Sequence, residues 1–445
     1  MKRIGGLLLV IAALAGLAAG LWAVFASGGG GEEWSCEPER AREELEAGLA
    51  ASMKFYQGDA LEHFERALEL SPDCAMARLA VVRRLPWGTD RQKRLLAELE
   101  ATDLDGLPDR EVFLVRYWLA ELHEEPERQR EILDAYLERH PGDPFALEYR
   151  CERLWAGERY DEGESCYERL LRLNPNWIVA QNRLGYLAMA RGSFDRAEDR
   201  FRTYRYVAPD QANPHDSLGE LLVLRGRYEE AEAELEAALA VRPDFCASYG
   251  NLIFAGLDRG DPEAARAALA RGLRQEPCDG LRRLECEIDA FALYLERDWE
   301  GLAARWGEPC HGEKLAAPWL PHFGALMIGD LELAGTIEGQ LADLISKYGG
   351  EKMSPRDVDL LRGLRLLAEG RPAEAETTLR RADEGLLYRN LGIGRFKLFI
   401  RLALAEALRR QGKTAESEAL VREVAAVNPH YAEIYRSGEL PLPGA

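Results

Sequence analysis

The sequence predicts an all-α fold: about 11 helical hairpins stacked into an α-solenoid, preceded by one N-terminal transmembrane helix. Three observations predict it. Pro141, Pro175, Pro209, Pro243 and Pro277 stand 34 residues apart. Between them, apolar residues recur at spacings of three and four, which is helical spacing. Ahead of them, Ile4 to Phe25 form a run of 22 uncharged, mostly apolar residues behind Lys2 and Arg3.

The N-terminal element, residues 1–27, reads as a signal anchor. Twenty-two helical residues span about 33 Å, enough for a hydrocarbon core of about 30 Å. Lys2 and Arg3 are the only charges before Glu32, so the positive-inside rule keeps the N-terminus in the cytosol. The expected location is therefore a bacterial-type cytoplasmic (inner) membrane, single-pass, with the rest extracytoplasmic or periplasmic. Val24-Phe25-Ala26 before Ser27 also suits a signal peptidase cut, so a cleaved leader and a secreted chain form the alternative. Trp34 and Ser35 before Cys36 do not make a lipid-attachment box. Gly16 and Gly20 form a GxxxG pair, a small-residue contact for a homo-oligomer of such helices. Residues 28–35, opening with Gly28 to Gly31, are a flexible linker.

The hairpins follow. Leu184-Gly185 is matched by Leu218-Gly219, Gly192 by Gly226, Phe194 by Tyr228, Ala197 by Ala231 and Phe201 by Leu235. Each period holds two helices of about a dozen residues joined by a short turn. These residues resemble the tetratricopeptide repeat family, whose period is 34. The likeness is sharpest at 178–209 and 212–243. It holds at 144–175 and 246–277, where Cys151 and Ile253 replace the small first-helix residue; Leu170 in the first of these and Tyr204 in 178–209 stand where a small residue is usual. Well-formed repeats therefore occupy 141–277. Degenerate hairpins fill 36–140, where Gly48, Ala60, Phe64, Ala67 and Pro72 carry the pattern and Pro86-Trp87-Gly88 interrupts it. Further hairpins fill 278–435, through Gly370, Ala375, Leu379, Gly412, Val421 and Pro429, and 436–445 is a tail. The resemblance implies a right-handed solenoid with a concave face lined by the first helices.

Composition narrows the function. Lys plus Arg number 57 and Asp plus Glu 77, a net charge of −20. Such a surface repels nucleic acid. No enzymatic motif carries weight. Gly412-Lys413-Thr414 lacks the first glycine of a phosphate loop, which is Ala407 here, and no strand precedes it. Gly392-Ile393-Gly394 lacks a third glycine. His123-Glu124-Glu125-Pro126 has no second histidine, and Cys310-His311 with His322 has no Cys-x-x-Cys to support a metal. The expectation is a non-enzymatic protein with no cofactor.

Eight cysteines lie at 36, 74, 151, 166, 246, 278, 286 and 310. In an exported chain they permit disulfides. Repeat geometry brings the end of a second helix near the start of its first. That suggests Cys36–Cys74 and Cys278–Cys310 at hairpin bases and Cys151–Cys166 between facing helices. Free buried thiols are the alternative.

The resemblance also implies which residues face a partner. On the first helices these are Phe145, Glu148, Glu152 and Trp155; Asn182, Tyr186 and Met189; Asn213, Asp216, Glu220 and Val223; Asn251 and Phe254. The Lys/Asn/Arg carboxylate clamp of some family members is matched only by Asn182 and Arg183. The mixture of acids, amides and aromatics suits a basic or amphipathic segment. The expected function is a membrane-anchored scaffold holding a protein or peptide in its concave groove. The alternative is a permanent structural subunit of a membrane-associated complex, or a secreted repeat protein if the leader is cleaved.

Overall fold

A computed structural model describes residues 34–308, 319–348, 354–440 and 442–443. The expected anchor at 1–27, its Gly16/Gly20 pair and most of the glycine linker lie outside them. Among the described residues, no helix is long and apolar enough to cross a membrane. The described residues contain 23 α-helices, one 3-10 helix and no strand. The chain divides into two compact units, one ending at Pro141 and one beginning at Gly142.

The first unit holds α1 (Glu39–Met53), α2 (Gln57–Leu70), α3 (Ala75–Val82), α4 (Asp90–Glu100), α5 (Asp109–Leu122) and α6 (Pro126–Arg139). In the first hairpin, Gly48 of α1 lies against the Phe64 ring of α2. Cys36 and Cys74 are bonded across its base, with Cα atoms 4.8 Å apart. Buried Glu111 accepts the Ser35 amide at 2.7 Å. Phe113 stacks on Tyr136 with ring centroids 4.1 Å apart, joining α5 to α6.

The second unit opens with four hairpins of one pattern: α7 (Pro144–Ala156) with α8 (Tyr160–Leu173), α9 (Val179–Ala190) with α10 (Phe194–Val207), α11 (Ala212–Leu224) with α12 (Tyr228–Val241), and α13 (Cys246–Asp258) with α14 (Pro262–Gly272). Asp143 and Asp261 cap α7 and α14 by accepting the amides of Ala146 and Ala264. Between the helices, Gly192, Gly226 and Gly260 turn the chain at φ +74°, +71° and +72°, a conformation that disfavours a side chain. Second-helix Phe201 and Leu235 fill the space left by Gly185 and Gly219, so the paired helices approach closely.

After a 3-10 helix at Glu276–Arg283 come α15 (Leu284–Glu296), α16 (Trp299–Ala304), α17 (Trp319–Met327), α18 (Leu331–Tyr348), α19 (Pro355–Ala368), α20 (Pro372–Asp383), α21 (Leu391–Arg410), α22 (Thr414–Val427) and α23 (Pro429–Ser437). Gly363 meets Leu379 as Gly219 meets Leu235, so the same packing recurs in α19 and α20.

Cys151 bonds to Cys166 across α7 and α8, with Cα atoms 5.4 Å apart. The expected Cys278–Cys310 pairing is corrected: Cys278 bonds to Cys246, their Cα atoms 5.2 Å apart. The reason is the hairpin itself. The chain leaving α14 returns to the start of α13, so the base closes within the hairpin rather than one hairpin later. Cys286 is also disulfide-bonded, Cys310 lies outside the described residues, and no described cysteine is free.

The unit does not stay open along its first helices. Residues 188–288 and 388–432 share one hydrophobic cluster, in which Leu391, Leu398 and Leu402 of α21 join Leu221, Leu224 and Ile253. The C-terminal helices are therefore core material for the central repeats.

Candidate partner-binding face

First helices α7, α9, α11 and α13 lie side by side, and a polar ladder joins them. Arg183 donates to Glu152 at 3.0 Å, and Asn182 to the Ser217 hydroxyl at 2.7 Å. The Tyr186 hydroxyl donates to Glu220 at 2.5 Å. Ser248 and Asn251 donate to Asp216 at 2.8 and 3.1 Å. Each rung links positions about one repeat apart, so the ladder follows from the 34-residue period.

The central rungs are covered by the chain's own segment 388–431. The Tyr388 amide donates to the Ala190 carbonyl, and its ring meets Phe194 edge-on. Arg389 pairs with Glu158 and donates to the Tyr160 hydroxyl at 3.0 Å. The Leu391 amide, in the first turn of α21, donates to Glu220 at 2.7 Å. A carboxylate there complements the positive end of the helix dipole. Gly394 lets α21 cross against Leu224. Arg395 lies over the Phe254 ring and holds Asp258 at 2.7 Å. Tyr431 donates to the same Asp258 oxygen at 3.1 Å. Asn428 donates to the Leu224 carbonyl at 3.1 Å.

Electrostatics follow from this cover. Burial, reinforced by Glu220, pushes the Asp216 carboxyl up to about 7 against the hydrogen bonds from Ser248 and Asn251. Burial also raises Glu220, opposed by Tyr186 and the Leu391 amide. Burial alone would lower the Arg395 guanidinium, but Asp258 beside it turns the shift upward.

On α7, Phe145, Glu148, Glu152 and Trp155 follow the i, i+3, i+7 and i+10 positions of one helical face. All four are half-buried. Trp177, in the connection to α9, donates its indole N–H to Glu148 at 2.5 Å and meets Phe145 edge-on. Burial first, then Glu152, pushes the Glu148 carboxyl up to about 7, against Arg183 and the Trp177 hydrogen bond.

Residues 152–217 and 182–247 match the tetratricopeptide repeat family model. That stretch carries tetratricopeptide repeats. No curated protein matches the sequence. Among solved structures, the chain is similar to a tetratricopeptide repeat protein from Parabacteroides merdae ATCC 43184, at 14% identity over 67% of this chain and 98% of that one, with TM-score 0.39. It is similar to pilF of Pseudomonas aeruginosa at 15% identity over 56% of this chain and 98% of that one, with TM-score 0.32. It is also similar to a chain of the APC/C hetero-tetramer Cut9–Hcn1 at 14% identity over 90% of this chain and 76% of that one, with TM-score 0.47.

Within the repeats, the residues expected to face a partner divide into two groups. Asn182, Met189, Asn213, Asp216 and Val223 are buried. Tyr186, Glu220, Asn251 and Phe254 are half-buried and engaged by the ladder or by segment 388–431. In this central stretch the face is occupied by the chain's own amphipathic, basic segment. Segment 388–431 lands beside α7, where Arg389 meets Glu158 and Tyr160. Sequence reasoning missed Asp258, Tyr388, Arg395 and Asn428. The available signal was α21: a helix apolar around most of its circumference is buried on more than one side.

Proposed function

We propose that this protein is an extracytoplasmic scaffold, held to the membrane by its N-terminal segment, that docks a basic or amphipathic segment of a partner protein on α7 and the adjoining edge of α9. Phe145, Glu148, Glu152 and Trp155 are the proposed contacts. One observation carries the reading. The repeat face beside α7 already holds such a segment from its own chain, with Arg389, Arg395 and Tyr388 against acids and aromatics. The α7 face offers the same chemistry next to it. Disulfide pairing of every described cysteine supports an oxidising location. The apolar run behind Lys2 and Arg3 supports anchoring.

The test is site-specific photo-crosslinking in intact membranes, with the reactive residue at Phe145 or Trp155, or at exposed Asp195 in the α9–α10 hairpin. A partner captured at Phe145 or Trp155 when irradiated at low salt, but not when irradiated at high salt, supports the reading, because screening shortens to about 3 Å at 1 M. Capture at Asp195 alone, resistant to salt, replaces it with the second reading, a permanent subunit of a larger complex. Closure of the central groove favours that alternative. Capture at none of these positions overturns both.

A further inference from the structure

We propose that the α7 face contains a receptor for one primary ammonium group, a lysine side chain of the docked segment, held between Glu148, Glu152 and the Tyr167 hydroxyl beside Phe145 and Trp177. The inference rests on the reading of α7 as a docking face and names the group it takes.

The geometry begins with the helix. Glu148 and Glu152 are four residues apart, so their carboxylates rise from one side of α7. Trp177 occupies one oxygen of Glu148, and Arg183 occupies one oxygen of Glu152. The second oxygen of each has no hydrogen-bond partner among the described residues. Tyr167 of α8 provides the independent observation. It is fully buried, at 0% exposure, yet its hydroxyl has no hydrogen-bond partner among the described residues. Glu152, Arg183 and Glu148 are the charged groups that act on it. A buried hydroxyl without a partner is costly, and a ligand donor satisfies it.

Charge selects the ligand. With both glutamates ionised, two negative charges face one positive charge, Arg183, leaving a deficit of one cation. Three acceptor groups are available, and an ammonium offers three donors on one compact centre, whereas a guanidinium is a flat fork. The site has a wet side, since the Glu152 and Arg183 side chains are 42% and 31% exposed. Phe145 and Trp177 flank it with ring surface for the lysine stem.

The free protein meets the deficit with a proton. Glu148 titrates near 7, raised by burial and by Glu152 on its own helix and lowered by Arg183 of α9 and Trp177. Tyr167 stays neutral. Proton and ammonium therefore compete for one carboxylate. Binding strengthens from pH 6 to pH 8 and releases up to one proton near pH 7.

The experiment uses the full chain in detergent and hexalysine as the probe, with calorimetry at low salt in two buffers of different ionisation enthalpy. Glu148→Gln imitates the protonated carboxyl and preserves its shape. We expect it to weaken hexalysine binding about tenfold and abolish proton release. Tyr167→Phe should weaken binding with a smaller factor. Glu229→Gln removes one exposed carboxylate elsewhere and should change affinity less than about twofold. Equal weakening by Glu148→Gln and Glu229→Gln overturns the proposal, since attraction is then diffuse. Absence of binding, or binding without proton release, also overturns it. Loss of this site leaves the photo-crosslinking result untouched, so the two readings fail separately.

Discussion

At Gly219 a methyl group would stand 2.7 Å from Leu235, inside van der Waals contact. At Gly58, near the start of α2, it would meet nothing within 4 Å. Gly219→Ala should therefore destabilise the protein by about 1–3 kcal/mol through overpacking. Gly58→Ala should be neutral or slightly stabilising, and thermal unfolding of the two variants checks the contrast. The pair also shows what residue spacing conveys. Gly48 with Phe64, Gly185 with Phe201, Gly219 with Leu235 and Gly363 with Leu379 are each sixteen residues apart. That contact is written locally, so sequence alone reveals it. Asp216 behaves otherwise. An aspartate in the unfolded chain titrates near 4, and in the folded chain near 7. Between those values the folded state holds the extra proton, so this group's contribution to stability is full below about pH 4 and lost as pH rises through 7. Asp216→Asn keeps the acceptor for Ser248 and should flatten that decline relative to wild type. A variant profile parallel to wild type from pH 4 to 8 would refute this.

At the element scale, the disulfides staple hairpins. The Cys246–Cys278 bond closes a separation of 32 residues around α13 and α14. Loop entropy assigns such a closure about 3–4 kcal/mol. Replacing both cysteines with serine should lower the melting temperature accordingly. Non-reducing peptide mapping should join the peptides carrying 246 and 278, and a 278–310 peptide would contradict the assignment. Hairpins at 144–272 were legible because proline, glycine and small-residue positions recur every 34 residues. Disulfide partnership was legible only where one hairpin contains both cysteines and its boundary is clear. At 278 the 3-10 helix blurs that boundary, so the hairpin before it and the one after it were confused. The α7 face was legible from helical spacing. The contribution of Trp177 was not, because it lies in a connection with no periodic signal.

At the scale of the second unit, a buried ion pair ties α21 to α13. The Asp258 side chain is 1% exposed and Arg395 is its cation at 2.7 Å. Removing one partner of such a pair typically costs about 3–5 kcal/mol, since the other charge is stranded. Arg395→Ala should therefore reduce amide-exchange protection in 246–258 and 388–431 together. Loss confined to one segment would show that the closure is not a shared core. Nothing in the sequence announces this contact. Asp258 and Arg395 are 137 residues apart, and neither breaks its own helix's pattern.

Closure also constrains how such a chain changes over generations. In an open array each repeat touches only its neighbours, so whole repeats are gained or lost with little harm. Here segment 388–431 must land on 158–258, with Arg389 at Glu158, Leu391 at Glu220 and Arg395 at Asp258. Inserting or deleting one 34-residue module between 284 and 383 would displace that landing by a whole hairpin. The number of hairpins between the two contacts is thereby fixed, and variation in repeat count among descendants of this gene is expected only before the landing zone.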